Sequence, residues 1–308
     1  MRSVVFAYHD VGYVCLDELL RAGADVAAVF THDDDPNEQV WFRSVRQLAA
    51  AHGVPVFAPD SVNTAEWIAR VAALQPDFLF SFYYRKLLST EILATARRGA
   101  LNMHGSLLPK YRGRCPVNWV LVHGEAETGM TLHYMVEKPD RGDIVAQRAV
   151  PITDDDTALT LFHKLTEAAA LLLREIYPQL CAGTAPRVPQ DQSRASYFGG
   201  RRPADGRLDW SQPARAVFNL VRAVTHPYPG AFAAWQGRTL YVWQARPIPP
   251  VETVHVAPGT IVALRPELAI QTGSGALQLT RLQVEGDPEL LGAQWAERYS
   301  VREGDRLT

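Results

Sequence analysis

Apolar residues in the first part of the chain form short continuous runs that alternate with stretches of helical spacing. Short apolar runs are typical of buried parallel strands, and apolar residues three and four apart are typical of helices. The pattern predicts strands at 3–8, 26–31, 54–58, 77–83 and 99–104, and helices at 12–22, 44–52, 64–74 and 158–176. This alternation predicts an α/β fold with a doubly wound, Rossmann-like, mostly parallel sheet.

The pattern changes after residue 183. Residues 184–206 are rich in Pro, Gly, Arg and polar residues, a composition typical of a linker. A helix is predicted at 214–224, followed by short strands at 231–235, 239–244, 259–264, 268–272 and 277–284, separated by Gly and Pro turns. We therefore expect a catalytic domain over 1–190, a linker over 191–206 and a small C-terminal β-barrel-like (OB-like) domain over 207–308.

Length and charge limit the classes of protein to which the chain can belong. The 308 residues suit two domains at roughly 150 residues each. With 31 Lys plus Arg against 33 Asp plus Glu, the net charge of -2 provides no global positive field, so no nucleic-acid partner is expected. The apolar run at 4–7 is too short for a signal peptide, and no apolar stretch reaches the ~18 residues of a membrane helix, so no membrane association is expected.

Cysteine spacing and missing motifs exclude several chemistries. Cys15, Cys115 and Cys181 form no CxxC pair, which indicates a reducing, cytoplasmic location and no structural zinc. The turn after the first strand, residues 7–12, lacks GxGxxG, and the chain contains no GxxxxGK[ST] or HExxH. These absences argue against a nicotinamide dinucleotide site, a P-loop and a zinc protease site.

The segment 101–113, LNMHGSLLPKYRG, carries the most informative chemistry of the chain. Asn102 and His104 are two residues apart, so at the end of an extended strand both side chains leave the same face. One can hold a developing oxyanion while the other moves a proton, as an acyl-type transfer requires. The alternative for a histidine in a sheet is a buried structural residue with satisfied hydrogen bonds.

Other polar residues are candidates for the same site. A histidine that acts as a base needs an orienting partner, and Asp140, in the turn 139–143, is either that acid or an ordinary turn residue. Arg114 can bind an anionic ligand with two hydrogen bonds, whereas Arg112 is interpreted as a solvated or backbone-holding charge.

Two further segments have a functional and a structural interpretation. Residues 83–88 follow a predicted strand and either line a flat aromatic ligand or belong to the core. Arg201 and Arg202 follow two glycines and either contact a diphosphate or remain solvated. The residues alone do not decide between these roles.

These residues together resemble the 10-formyltetrahydrofolate-dependent formyltransferases. The shared pattern is an Asn-x-His pair, then SLLPxYRG and a later aspartate, matched by Asn102, His104, residues 106–113 and Asp140. The resemblance implies that His104 is the catalytic proton-transfer residue and that Asn102 stabilises the tetrahedral oxyanion. It implies that Asp140 orients His104 and raises its pKa.

The resemblance also implies a formyltransferase enzyme that takes 10-formyltetrahydrofolate as cosubstrate and needs no metal. The residues it assigns to folate binding are Lys86, Leu87, Leu88, Arg114 and the loop Val136, Glu137, Lys138, Pro139 and Asp140.

Within this family the chain is most similar to the formyltransferase part of the bifunctional polymyxin-resistance enzymes. The similarity is carried by VVFAYHDVG, FSFYYRKL, NMHGSLLPKYRGRCPVNWVLVHGE and HPYPGAF. It implies that UDP-4-amino-4-deoxy-L-arabinose is formylated on its amine for lipid A modification, and Arg201 and Arg202 are the candidate contacts for its diphosphate. Those enzymes continue into a dehydrogenase/decarboxylase domain whereas this chain stops at Thr308, so we expect a stand-alone enzyme or an excised domain.

Two alternatives stay open at this stage. A methionyl-tRNA formyltransferase shares the chemistry, but the weak charge and the AYHD sequence of the first loop count against it. A catalytically silent nucleotide-sugar binding module would have no need of Asn102, His104 and Asp140 together. The sequence leaves the exact sugar and nucleotide open, and it allows an oligomer.

Overall fold

The computed structural model describes residues 1–34, 40–248 and 256–308. Contacts between α-carbons divide the chain into two units. The first comprises Met1–Gly113, Glu127–Pro151 and His163–Phe198, and the second comprises Arg114–Ala126, Ile152–Phe162 and Gly199–Thr308. The division into 1–190, 191–206 and 207–308 stays a prediction.

The first unit is built on one seven-stranded sheet. Its strands are β1 (Arg2–Ala7), β2 (Asp25–Phe30), β3 (Val56–Phe57), β4 (Phe78–Phe82), β5 (Gly99–His104), β7 (Glu127–Tyr134) and β8 (Ile144–Pro151). The strand order is β3-β2-β1-β4-β5-β7-β8, with parallel pairing from β3 to β5 and antiparallel pairing of β7 with β5 and β8. The predicted Rossmann-like, mostly parallel sheet is confirmed, and β7 and β8 extend it.

Helices connect the parallel strands of this sheet: α1 (His9–Arg21), α2 (Val45–Ala51), α3 (Ala65–Ala73) and α4 (Thr90–Leu93). A further helix, α6 (Ala158–Ala182), follows β8. Side-chain caps begin three of these helices, because the Ser44, Thr64 and Ser89 hydroxyls accept hydrogen bonds from backbone amides of the first turn. The central strands β1, β4 and β5 are buried on both faces along most of their length, and Phe6 of β1 stacks on Phe30 of β2 at 4.9 Å in the core. This double-sided burial explains why the strands are continuous apolar runs.

The strand order places a topological switch point between β1 and β4. From β1 the chain proceeds outward through β2 and β3, and it then returns to β4 on the other side of β1. Ligands of open α/β sheets bind beyond the carboxyl ends of the strands at such a point. The residues that follow β1 and β4, and the last residues of β5, lie at this edge.

A short strand pair orders part of the segment interpreted from sequence as a linker. Strand β6 (Arg112–Gly113) pairs in parallel with β9 (Tyr197–Phe198). The amide of Tyr111 donates to the Ser196 hydroxyl at 2.9 Å, and the amide of Arg112 donates to the Ser196 carbonyl at 3.0 Å. Residues 196–198 are therefore tied by backbone hydrogen bonds to the turn that follows β5.

The second unit contains an antiparallel sheet with three helices. Its strands are β10 (Ala231–Trp235), β11 (Arg238–Ile248), β12 (Ile261–Ala263), β13 (Ala269–Gln271), β14 (Ala276–Val284) and β15 (Leu290–Leu291), and its helices are α5 (Pro116–Val122), α7 (Ala214–Val224) and α8 (Gly292–Arg298). The sheet order is β10-β11-β14-β13-β12, with β15 beside β14. The amides of Leu307 and Thr308 donate to the carbonyls of Gly259 and Ala234 at 2.8 and 3.1 Å, so the last residues join both edges of the sheet. The predicted C-terminal β domain is confirmed.

Candidate active site

Strand β5 and the turn after β7 bring the three candidate residues together. Asn102 and His104 occupy alternate positions at the end of β5, and the His104 side chain is only 7% exposed. Asp140 lies beyond β7 with its side chain 11% exposed, and its Oδ1 is 3.6 Å from Nδ1 of His104. That separation allows a strong charge interaction but exceeds the length of a direct hydrogen bond.

The other ring nitrogen of His104 binds the main chain. Nε2 lies 2.8 Å from the carbonyl oxygen of Tyr111. A carbonyl only accepts, so Nε2 carries the hydrogen and the unprotonated Nδ1 faces Asp140. The Tyr111 carbonyl, in the turn of the LPKYRG segment, therefore orients the His104 ring. The sequence analysis assigned this orienting role to Asp140.

His133 is a buried residue of the site that sequence reasoning missed. It lies opposite Asn102 in the β5–β7 pair and is 1% exposed. Its Nδ1 is 2.8 Å from the Tyr134 carbonyl, which only accepts, so Nδ1 carries a hydrogen, and Nε2 accepts from the Asn102 amide group at 3.2 Å. One N–H of the Asn102 amide therefore donates to His133, and the other N–H can donate to a second acceptor.

Asp140 adopts a backbone conformation that its surroundings must hold. Its φ of 57° lies in the left-handed region, which is uncommon for residues other than glycine. Its Oδ2 accepts a hydrogen bond from the Gly113 amide at 2.8 Å. A Cβ at Gly142 would lie 1.9 Å from the Tyr134 carbonyl oxygen, and one at Gly113 would lie 2.2 Å from that of Phe198. Glycine at these two positions lets the chain pass close enough to hold the carboxylate.

Burial and nearby charges set the protonation of the pair. Burial is the largest influence on the pKa of His104 and lowers it below the ordinary imidazole value, which the Asp140 carboxylate and the Tyr111 carbonyl offset only in part. Burial acts to raise the pKa of Asp140, but the rings of His104 and His133 and the Gly113 amide outweigh it and hold that pKa below the usual carboxyl range. Asp140 acts on the pKa of His104 in the direction that the resemblance implied, although burial is larger. At neutral pH a neutral imidazole faces an ionised carboxylate.

The Asp140→Asn variant is expected to lower the pKa of His104 further, because the charge that favours the imidazolium form is lost. The asparagine oxygen can still accept the Gly113 amide, so the turn is kept. NMR titration of the imidazole measures the midpoint. Asp143→Asn is the matched control, since Asp143 lies in the same segment but pairs with Arg187 at 2.8 Å. An unchanged midpoint in Asp140→Asn would show that the two residues are not coupled.

Apart from Arg114, which belongs to the second unit, the residues that the resemblance assigned to folate lie in two loops of the first unit. Leu87 is 73% exposed and Val136 is 42% exposed, whereas the Lys86 ammonium donates to the carbonyls of Pro59 and Asp60. Leu88 packs against the core, and Glu137, Lys138 and Pro139 are exposed. A cavity of about 300 Å³ is lined by Thr90, Leu93, Ala94, Gly99, Ala100, Tyr134, Met135, Val136, Glu137 and Arg187. Val136 and Glu137 thus border a cavity, while Lys86–Leu88 are absent from its described lining.

The aromatic segment after β4 has a mainly structural setting. Tyr84 packs against the core, and its ring stacks on His32 at 4.2 Å. Burial, with the charges of Lys86 and Arg85, lowers the pKa of His32 to about 4. Its Nε2 accepts the Arg85 amide at 3.0 Å, which orders the start of the folate-assigned segment.

The predicted arginines belong to the second unit, where they lie close together. The Arg201 guanidinium covers the ring of Trp119 at 4.6 Å, and the Trp119 indole donates to the Gly199 carbonyl at 3.0 Å. A Cβ at Gly200 would lie 3.5 Å from the Arg114 guanidinium. Arg202 is exposed, and its amide donates to the Asp205 carboxylate at 2.6 Å. Arg114 and the 199–202 segment therefore form one basic surface of this unit.

Within residues 1–34, 40–248 and 256–308, no group of three or more His, Cys, Asp or Glu side chains is arranged to hold a metal ion. In the same ranges, no helix has the length and apolar character needed to cross a membrane. The three cysteines are free thiols.

Several solved structures share this fold. WlaRD, a sugar 3N-formyl transferase studied with dTDP and 5-N-formyl-THF, matches with a TM-score of 0.72 at 16% identity, covering 94% of this chain and 99% of that one. The N-formyltransferase from Helicobacter canadensis, in complex with folinic acid and dTDP-3-aminofucose, matches with a TM-score of 0.69 at 17% identity, covering 90% and 98%. HypX from Aquifex aeolicus with tetrahydrofolic acid matches with a TM-score of 0.64 at 20% identity, and the whole of this chain spans 50% of that protein. At these identities the similarity establishes the fold.

Sequence models of protein families identify both parts of the chain. Residues 201–300 match the formyl transferase C-terminal domain. Residues 1–176, which contain Asn102, His104 and Asp140 and more than half of the chain, match the formyl transferase domain. The chain therefore belongs to the formyl transferase family and is a formyltransferase enzyme.

Proposed function

We propose that this enzyme transfers the formyl group of 10-formyltetrahydrofolate to the amine of a nucleotide-linked amino sugar. The observation that carries the proposal is the cluster of Asn102, the buried His104 and Asp140 at the carboxyl end of β5. The related WlaRD was studied in the presence of dTDP and 5-N-formyl-THF, and the Helicobacter canadensis enzyme in complex with folinic acid and dTDP-3-aminofucose, which supports both substrate classes.

The reaction needs one base and one oxyanion donor. The sugar amine attacks the formyl carbon, a C–N bond forms, and the bond from that carbon to N10 of the folate breaks. One proton leaves the amine and one is delivered to N10, so the products are a formamido sugar and tetrahydrofolate. The cosubstrate supplies the activated formyl group, and the protein supplies position and electrostatics.

We propose Nδ1 of His104 as the base. It is the ring nitrogen without a hydrogen, because Nε2 donates to the Tyr111 carbonyl. The lowered pKa keeps it neutral at physiological pH, and Asp140 stabilises the imidazolium once the proton arrives. The same nitrogen then carries the proton to the departing N10.

We propose the Asn102 amide as the oxyanion donor. His133 holds one of its N–H groups, so the amide is oriented before the substrate binds. A donor that needs no reorganisation stabilises the developing charge on the formyl oxygen most strongly.

For the folate we propose the backbone of Lys86–Leu88, the 136–140 loop and Arg114. The exposed Leu87 and Val136 side chains provide apolar surface for a flat ring, and the cavity beside Val136 provides space of about 300 Å³. Because the Lys86 ammonium already binds two carbonyls, we assign the contact at this position to the main chain.

For the acceptor we propose UDP-4-amino-4-deoxy-L-arabinose, with a role in lipid A modification and polymyxin resistance. The specific sugar and the UDP group rest on the sequence similarity described above. Arg201 and the exposed Arg202 offer positive charge for a diphosphate. We also propose a cytoplasmic location, because three free cysteines suit a reducing compartment.

A turnover assay tests the proposal. Purified protein is given 10-formyltetrahydrofolate with UDP-4-amino-4-deoxy-L-arabinose, dTDP-3-aminofucose or initiator methionyl-tRNA. We expect the highest kcat/KM with the UDP sugar. Preference for the dTDP sugar would show that the assigned nucleotide is wrong, and preference for the tRNA would overturn the substrate class. Tight binding of a sugar nucleotide without turnover would indicate a catalytically silent binding module.

Arg201→Ala is expected to raise the KM for the sugar nucleotide about tenfold or more with little change in kcat, since the loss of a charge-assisted contact affects ground and transition states equally. Arg207→Ala is the matched control, because Arg207 is an exposed arginine of the same unit outside the proposed surface. Equal effects of the two substitutions on KM would remove Arg201 from the substrate site.

A further inference from the structure

Arg112 is a buried cation. Among its contacts with the described residues, none is a carboxylate at hydrogen-bond distance. The residue is 3% exposed, and its guanidinium donates to two neutral amides. Nε and Nη2 bind Oε1 of Gln190 at 3.2 and 2.6 Å, and Nη1 binds Oε1 of Gln192 at 2.9 Å. Burying a charge is costly unless its donors are satisfied, so these amides are needed to keep Arg112 inside.

Gln190 uses its other end to hold the Asp140 turn. Its Nε2 donates to the carbonyl of Asp140 at 2.9 Å and to that of Gly142 at 2.7 Å. The side chain is buried, with the residue 7% exposed, and Arg112 can only donate, so the amide has one satisfactory orientation. Gln190 therefore links a buried cation to the two carbonyls that flank residue 141.

The turn needs such support because Asp140 lies in the left-handed region at a φ of 57°. Conformations of this kind cost about 1–3 kcal/mol and persist only where surrounding contacts hold them. The same turn aims the Asp140 carboxylate at the Gly113 amide and towards His104. Arg112 precedes Gly113 in β6, so the pair reaches both sides of this contact.

We propose that Arg112 and Gln190 form a positioning pair that holds the Asp140 turn in the geometry in which its carboxylate faces His104. Neither residue is assigned a contact with the reacting atoms, and the inference rests on the proposed function for its kinetic consequence. Gln190 lies beyond the segment matched by the N-terminal family model, which ends at residue 176.

The test compares two glutamines that both bind Arg112. Gln190→Leu removes the contacts to the Asp140 turn, whereas Gln192→Leu removes one contact to Arg112 and one to the Gln190 carbonyl but none to that turn. We expect Gln190→Leu to lower kcat by about 10- to 10²-fold, the cost of misplacing a group in an active site, and Gln192→Leu to leave kcat nearly unchanged.

Hydrogen exchange at the Gly113 amide reports the turn without any substrate. In Gln190→Leu this amide should exchange at least about tenfold faster while amides of β5 keep their protection, because the loss is local and not global. If the Gln190→Leu variant does not fold, the same exchange measurement is made on Gln190→Glu. It keeps an acceptor for Arg112 but cannot donate to the Asp140 and Gly142 carbonyls, so the same local effect is expected.

The result that overturns the proposal is a folded Gln190 variant with native protection at Gly113 and native kcat. Loss of protection throughout β5 would likewise overturn it, since that pattern belongs to a purely structural residue. Failure of the unchanged protein to formylate any amino sugar would instead refute the proposed function, and the exchange measurement would still decide the role of Gln190.

Discussion

Replacing His104 by alanine is expected to lower kcat by about 10²- to 10⁴-fold, the range for removing a general base, with a much smaller change in KM. The Nδ1 atom of His104 is the proposed proton acceptor, and it lies on a buried ring 3.6 Å from Oδ1 of Asp140. Steady-state kinetics with both substrates measures the effect. His52→Ala is the control, because His52 is an exposed residue at the end of α2.

The pH profile gives the same prediction a second readout. Because burial lowers the pKa of His104, the base form persists below the pH at which an ordinary imidazole protonates. The kcat/KM of the unchanged enzyme should therefore stay on its plateau at pH values where a solvent-exposed histidine would already be charged, and fall only at lower pH. Near-native turnover in folded His104→Ala protein would remove the proposed mechanism.

The Asn102→Ala variant should lose about 10²- to 10³-fold in kcat, as expected for an oxyanion donor. Asn102→Asp should lose at least as much, because a carboxylate has no N–H to donate and repels the developing negative charge. Its shape matches asparagine closely, so thermal unfolding should show whether the fold is kept. Equal kcat for Asn102→Asp and the unchanged enzyme would show that no N–H from this side chain meets the formyl oxygen.

His133 provides a check on how Asn102 is oriented. Replacing His133 by phenylalanine removes the acceptor for one amide N–H and leaves the Asn102 side chain free to rotate. The loss in kcat should be smaller than that of Asn102→Ala, because the donor is still present. In the double variant the second substitution should add little, since residues that act as a unit are not additive.

Most of the parallel sheet followed from the apolar pattern. The strands at 3–8, 26–31, 77–83 and 99–104 correspond to β1, β2, β4 and β5, because strands buried on both faces must be apolar throughout. The helix at 214–224 and the strand at 231–235 were also found at their observed positions.

Strands β7 and β8 and helix α5 were not predicted. They lie between residues 116 and 151, where turns interrupt the apolar pattern. The antiparallel pairing of β7 with β5 also joins residues that are far apart in the chain: Asn102 and His133, which face each other, are separated by 31 residues. The segment 184–206 was interpreted as a linker, although 196–198 bind the turn after β5. The local composition of a segment indicates that it contains turns, but it does not show which backbone groups those residues bind in the folded protein.

By itself the sequence determined the parallel strands of the sheet and the Asn-x-His pair, because alternation along a strand places two side chains on one face whatever surrounds them. The tertiary structure decided which nitrogen of His104 is free, which group orients Asn102, and what holds Asp140. These depend on the Tyr111 carbonyl in a tight turn and on contacts between residues far apart in the chain, 50 residues for Gln190 and Asp140 and 78 for Arg112 and Gln190. A hydrogen bond of that kind is set by strand register and loop path, which no local pattern encodes.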